Sequence, residues 1–161
     1  MPAIYIPTST VAMDSCQYID IKCFDQAWVE DTWKIQFAHC DVWCLSSTGY
    51  TEPVGFIACK QLKDEQYGSI YVISKIAVLP NYRRLGYGAA LVRHVCSYAD
   101  SRGFSRIHTY TPESMINPGA EGDVSSFLRH MGFKARYTDQ TMLWEEQIQS
   151  VVEWTHIWRE V

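Results

Sequence analysis

Between residues 68 and 99 the sequence dictates a strand, a loop and a helix in immediate succession. Residues 68–78 are mostly β-branched, aromatic or small, and Pro80 ends the run, which is the composition of a buried strand closed by a residue that cannot continue the ladder. Arg83, Arg84, Gly86 and Gly88 follow, and from Tyr87 onward Leu91, Val92, Val95, Cys96 and Ala99 recur at helical spacing. Glycines at 86 and 88 let the backbone approach a ligand closely and turn several N–H groups inward. The first N–H groups of a helix lack internal partners, and the macrodipole adds partial positive charge there. Together these features make a cradle for a pyrophosphate, with Arg83 and Arg84 as cationic donors beside it.

Two other phosphate loops fail against these residues. A Walker A loop needs Lys-Ser or Lys-Thr after its second glycine, and a dinucleotide fingerprint needs a third glycine where this chain has Leu91. A glycine turn with no ligand would leave the paired arginines without a purpose.

Patterning elsewhere predicts a mixed α/β chain. Residues 3–9 read as a short strand, and Asp14 with Gln17 as a capping box for a helix over about 15–24. Trp33, Phe37 and Cys40 set a helix over 29–39, and residues 41–47 and 54–61 are strand-like on either side of a turn. The helix from Tyr87 runs to about Arg102, capped by Gly103 and Phe104, and residues 105–111 form the next strand. A short helix is expected at 124–131, a hairpin of strands 134–139 and 141–147, and a last helix opened by a Ser150–Glu153 capping box. Val151, Trp154, Trp158 and Val161 would share a face of that helix. The sum is one domain over 1–149, a mixed six- to seven-stranded sheet with helices on both faces, followed by an amphipathic helix at 150–161.

Charge narrows the partners. The formal net charge is −4, and residues 1–70 carry nine acidic residues against four lysines. Six basic residues between Lys75 and Arg106 face only Asp100. That local excess suits a bound anion, whereas the acidic first half gives no basis for nucleic-acid binding. The six cysteines are scattered without a zinc spacing, so no metal is expected and reduced thiols are. Met1-Pro-Ala lacks the basic region and apolar run of a signal peptide, and no stretch reaches the ~20 apolar residues that span a bilayer. A cytoplasmic location away from membranes is the expectation.

Arg83-x-x-Gly86-x-Gly88, preceded by Ile76-Ala-Val-x-Pro-x-Tyr-Arg, resembles the Q/R-x-x-G-x-G/A signature of the GNAT acetyltransferases. Phe127-Leu-Arg-His-Met-Gly-Phe133 is similar to their F-Y-x-x-x-G-F segment, with Leu128 where tyrosine is common. Residues 24–33 further resemble a helix connection of the bacterial ribosomal-protein N-terminal alanine acetyltransferases, without its proline. The resemblance implies acetyl-CoA as co-substrate. It implies that the strand ending at Val78 bulges and splays from the next strand, with the pantetheine arm in the gap. Ile76, Ala77 and Val78 would meet that arm, one of their N–H groups polarising the thioester carbonyl. Arg83, Arg84, Leu85, Gly86, Tyr87, Gly88 and Ala89 would hold the pyrophosphate.

The catalytic side chains depart from the family. Tyr110 falls where the ribosomal enzymes carry a glutamate base, and Leu128 where they carry a tyrosine acid. Direct attack by an amine requires a neutral nitrogen and a proton for the leaving thiolate, and an ordinary lysine has a pKa of ~10.4. Tyr110 is a candidate acid and Glu113 a candidate base acting through water. Each has a structural reading of equal standing, as a packed aromatic and as a first-turn helix acid. His108 shares a strand face with Tyr110, His130 reads as a surface or packing residue, and Cys96 lies on the buried stripe of its helix, against a cysteine nucleophile.

An amine acetyltransferase is therefore the leading reading, its acceptor a protein N-terminus, a lysine or a small polyamine or aminoglycoside-like molecule. A non-catalytic acetyl-CoA-binding regulator is the alternative that the missing tyrosine and glutamate motivate. A toxin-like aminoacyl-tRNA acetyltransferase is a further alternative, and it would need a basic face for RNA that a net charge of −4 does not point to. The aromatic side of the 150–161 helix would bury against the domain or against a second copy in a homodimer.

Overall fold

Side chains alternate across a strand, and the first strands of this chain alternate between two separate cores. The computed structural model describes residues 2–7, 9–49, 52–65, 68–104, 106–112, 134–145 and 148–160. Its strands are β1 (Ala3–Tyr5), β2 (Asp41–Ser46), β3 (Gly55–Asp64), β4 (Gly68–Val78), β5 (Arg106–Pro112), β6 (Lys134–Glu145) and β7 (Ile148–Glu160). They form one sheet in the order β1-β2-β3-β4-β5-β7-β6. Only the β4–β5 pair is parallel, and its crossover carries the helix α3 (Tyr87–Ser101). The helices α1 (Thr10–Cys23) and α2 (Glu30–His39) precede β2.

One core joins Leu45, Ile57, Cys59, Tyr71 and Ile73 of the sheet to Leu91, Val92, Val95 and Ala99 of α3. The other joins Val42, Cys44, Phe56, Ala58 and Ala77 to Cys16 and Ile19 of α1 and Trp33 of α2. The sheet is thus sandwiched, with α1 and α2 on one face and α3 on the other. Trp33 fills the second core, with ring centroids 5.0 Å from Phe56 and 5.1 Å from Trp28. Cys16 and Cys44 bring their sulfurs to 3.5 Å there. No helix among the described residues is long and apolar enough to cross a membrane.

The mixed sheet with helices on both faces follows the sequence expectation, and β4 keeps its expected bounds. The end of α3 does as well. Gly103 takes φ +78°, its N–H reaches the Asp100 carbonyl at 3.1 Å, and the Phe104 N–H reaches that of Ala99 at 3.0 Å, the paired bonds of a Schellman cap.

Two expectations are corrected. The N-terminal helix starts at Thr10, because the Ser9 hydroxyl caps it by accepting from the Ala12 N–H at 3.4 Å. The first strand therefore stops at Tyr5, and Asp14 lies inside the helix. The larger correction is at the C-terminus. Residues 150–160 are not an amphipathic helix. They belong to β7, and the expected hairpin of 134–139 and 141–147 is instead one strand, β6, paired with it. Val151, Val152, Thr155 and Ile157 are β-branched, and Trp154 and Trp158 fit a two-residue period as well as a helical one. Pairing on both sides decides between them, since β7 lies between β5 and β6 and is antiparallel to each. The expected boundary at 149 falls inside β7, and the segment on which a homodimer rested is a strand in this structure. The expected helix at 124–131 lies outside the described residues.

A chain ending at Gln149 tests this topology. Removing residues 150–161 takes out most of a strand paired on both sides, so circular dichroism should show loss of the cooperative thermal transition. A truncated chain that melts like the full one would contradict the placement of β7.

Candidate active site

The site is built by one extra residue in β4. The β3 ladder pairs Ala58 with Lys75 and Cys59 with Ile73, so Ser74 has no counterpart and forms a β-bulge. On the other edge, the parallel ladder to β5 runs from Ile70↔Arg106 only to Ile73↔Thr109. From Ser74 onward the two strands are no longer paired, while β5 continues against β7 as far as Pro112. A fork opens between β4 and β5 with Ser74 at its apex on one lip. Tyr110, the next residue of β5 after the last pair, stands at the apex on the other.

Backbone groups in a strand alternate in direction. The Leu79 N–H bonds the Val54 carbonyl at 2.9 Å, and the Ala77 carbonyl lies 3.0 Å from where a β-carbon on Gly55 would stand. Residues 77 and 79 therefore turn toward β3, and Ile76 and Val78 turn their N–H and C=O groups toward the fork. Ala77 does not present its backbone there. The Val78 carbonyl is already held, by Arg83 Nε at 3.0 Å and by the Cys23 thiol at 3.5 Å. Burial pushes the Cys23 thiol above its ordinary pKa, and Arg83 beside it works in the opposite direction.

Beyond Val78 the chain makes one 3₁₀ turn, Pro80–Tyr82, and then two left-handed residues, Arg84 at φ +64° and Gly86 at φ +79°. Such a conformation is costly for arginine and natural for glycine. Gly86 caps α3, and the first closed helical bond is Ala90 N–H to the Gly86 carbonyl at 2.9 Å. The N–H groups of Tyr87, Gly88 and Ala89 come before that bond, at the positive end of the macrodipole. This loop and helix start can receive an anion. Arg84 is exposed beside them, whereas Arg83 folds back onto the end of β4, which gives one of the paired arginines a structural task.

Sequence reasoning passed over a buried polar knot on the α1–α2 face. Lys75 Nζ meets Asp20 Oδ1 at 2.7 Å, with side chains 4% and 0% exposed. Asp20 Oδ2 accepts from the Trp28 N–H at 2.8 Å and the Trp33 indole at 3.2 Å. The Lys75 ammonium also lies 4.5 Å from the Trp28 ring centre and 4.8 Å from that of Phe24. Burial pushes Lys75 below its ordinary pKa, and the bond to Asp20 opposes that shift. The knot fixes the connection between α1 and α2 against β4, one residue from the bulge. Its signal in the sequence is a lone lysine inside an apolar strand.

Glu113 lies outside the described residues, as do Leu128, His130 and the rest of the Phe127–Phe133 segment. The register places Tyr110 but the structure describes nothing of its side chain. His108 is fully buried. Among the described residues no cluster could hold a metal ion.

The sequence matches the Acetyltransferase (GNAT) family over residues 11–122. The chain belongs to that family. Its fold is similar to the ribosomal-protein-S18-alanine N-acetyltransferase from Escherichia coli, with TM-score 0.76 and 17% identity over 99% of this chain and 94% of that one. It is also similar to Arabidopsis thaliana NAA60 in complex with a bisubstrate analogue, with TM-score 0.79 and 12% identity over 100% and 99% of the two chains. NAA60 in complex with acetyl-CoA gives TM-score 0.77 and 12% identity over 100% of both chains. Comparison with curated protein sequences gives no match.

Breaking a buried pair by removing one partner strands the other charge. Asp20→Ala should therefore destabilise the protein by about 3–5 kcal/mol in urea unfolding. Adding Lys75→Met to it should recover part of that loss. Strictly additive losses in the double variant would show that the two side chains do not interact.

Proposed function

We propose that the chain is an acetyl-CoA-dependent N-acetyltransferase that moves an acetyl group to a primary amine by direct attack. The observation that carries this reading is the fork between β4 and β5 opening beside the anion cradle of α3. A long ligand with phosphates at one end fits that arrangement. Its pyrophosphate would take the N–H groups from Arg84 to Ala89. Its pantetheine amides would take the fork-side groups of Ile76 and the N–H of Val78, because the Val78 carbonyl is occupied by Arg83 and Cys23.

Bound acetyl-CoA supplies an activated acetyl thioester. The chain's own part is to hold that ester in a cleft between strands, direct an N–H group at its carbonyl and manage two protons. The acceptor amine must arrive neutral. Its nitrogen bonds the acetyl carbon, the carbon–sulfur bond breaks, the nitrogen gives up a proton and the sulfur takes one. Tyr110 stands at the fork apex in the register and is our candidate for returning the proton to sulfur. Glu113, three residues further along the chain, is our candidate for receiving the amine proton through water.

The name of the bacterial neighbour, a protein alanine N-acetyltransferase, supports an amine carried on a protein. Exposed Asp14, Asp25, Glu30 and Asp31 on the α1–α2 side would favour a cationic acceptor of any size, a lysine or a polyamine included.

Acetyl-CoA should raise the melting temperature by mass action, and free acetate should not. Gly86→Val should abolish that shift, since valine is strained at φ +79° and crowds the phosphate approach. A folded Gly86→Val protein that still binds would remove the cradle from the site. Free thiol released from acetyl-CoA in the presence of an amine library separates an enzyme from a regulator that only binds. Tyr110→Phe should lower kcat with little change in acetyl-CoA affinity, and Glu113→Gln should move the basic rise of the pH–rate profile. Wild-type values in either variant would take that residue out of the chemistry.

A further inference from the structure

Ser74 is the one residue of β4 without a partner position on β3, and it is the first residue of β4 beyond the ladder to β5. Its hydroxyl oxygen is buried and has no hydrogen-bond partner among the described residues. A buried hydroxyl left unsatisfied destabilises a fold, and a strand interior favours valine or isoleucine over serine. Nothing among the described residues rewards a serine at this position. Bulges are found beside active sites because they re-aim a side chain, and this one sits at the apex of the fork.

The direction of the proposed ligand leads to the same place. The anion cradle follows Val78 in the chain, and the fork-side backbone groups run inward from Val78 to Ile76. A molecule with its phosphates at α3 and its arm along β4 ends at the apex, where Ser74 stands. Its terminal carbonyl needs donors, and a hydroxyl with no partner among the described residues is one. Away from water such a bond is stronger than in solution.

We propose that Ser74 donates a hydrogen bond from its hydroxyl to the carbonyl oxygen of the acetyl thioester, as a second donor beside the backbone of Ile76. The proposal rests on acetyl-CoA being the ligand. As the amine nitrogen adds to the carbonyl carbon, that oxygen gains negative charge and the bond strengthens. No proton leaves Ser74, so its hydroxyl is unchanged when the carbon–sulfur bond breaks. This is the arrangement in which a preorganised donor accelerates acyl transfer.

The test compares Ser74→Thr with Ser74→Val, two side chains of nearly one shape that differ by the hydroxyl. Binding of acetyl-CoA and of CoA to each protein is measured by calorimetry. Wild type and Ser74→Thr should bind acetyl-CoA about fivefold more tightly than Ser74→Val does, the worth of one neutral hydrogen bond. CoA, which lacks the carbonyl, should bind all three alike. Where acetyl transfer is followed as well, kcat should fall about a hundredfold in Ser74→Val, the weak end for loss of an oxyanion donor. If Ser74→Val does not fold, Ser74→Ala takes its place, with melting temperature as the check. An unchanged ratio of CoA to acetyl-CoA affinity in a folded hydroxyl-free variant would overturn the proposal and leave the acetyl-CoA reading standing. A wild type that binds neither compound would overturn both.

Discussion

The single inserted residue in β4 is the constraint from which the rest of the site follows. Without it, residues 71, 73, 75 and 77 would share one face of the sheet, and the Lys75 ammonium would enter the apolar core beneath α3. An unpaired charge there would cost many times what the fold can supply. With it, the alternation shifts by one. Ile76 and Val78 rejoin Tyr71 and Ile73 on the α3 side, and Lys75 and Ala77 turn to α1 and α2. Lys75 then meets Asp20, and the same residue that resets the phase opens the strand edge toward the fork. Chain phase, charge burial and cleft formation have one cause.

The cradle is held to the fork by side chains rather than by the loop alone. Arg83 ties the loop back to the last carbonyl of β4, and Cys23 at the end of α1 approaches the same oxygen. The last residue of α1 thus touches the strand that meets the loop. At the far end of α3 the Schellman cap feeds Phe104 into the core beside Tyr71, their ring centroids 5.1 Å apart. The helix is anchored at both ends, so the N–H groups at its start keep a fixed relation to the strand edge. A site that must grip a ligand at two separated points depends on that rigidity.

Where local chemistry decided the structure, the sequence was readable. The strand ending at Pro80, the glycine-capped start of α3 and its Gly103 stop follow from steric rules that act over a few residues. Long-range pairing was not readable. Val151, Trp154 and Trp158 fit a helical stripe, and only the neighbours β5 and β6 make them a strand. Ser9 and Asp14 both suit a helix cap, and spacing alone favoured the wrong one. The bulge left no mark in composition. Lys75 did leave one, because a lysine among Ile, Val and Ala needs a buried partner, and Asp20 lies 55 residues away, beyond the reach of any local pattern. Arg83 and Arg84 looked equivalent as neighbours, but the loop gives the first to the fold and leaves the second at the surface.

The sheet also sorts charge. On the α1–α2 face the exposed Asp14, Asp25, Glu30 and Asp31 outnumber Lys22 and Lys34, while around α3 the exposed Arg84, Arg93 and Arg102 stand against Asp100. A net charge of −4 conceals this division. An anionic ligand and a cationic one approaching the same fork would be drawn to opposite sides, each repelled from the other's entrance. The apex, between the two, is where they would meet. Fields separated in this way let ligands of opposite charge reach one cleft from different sides, and the separating wall here is the sheet itself.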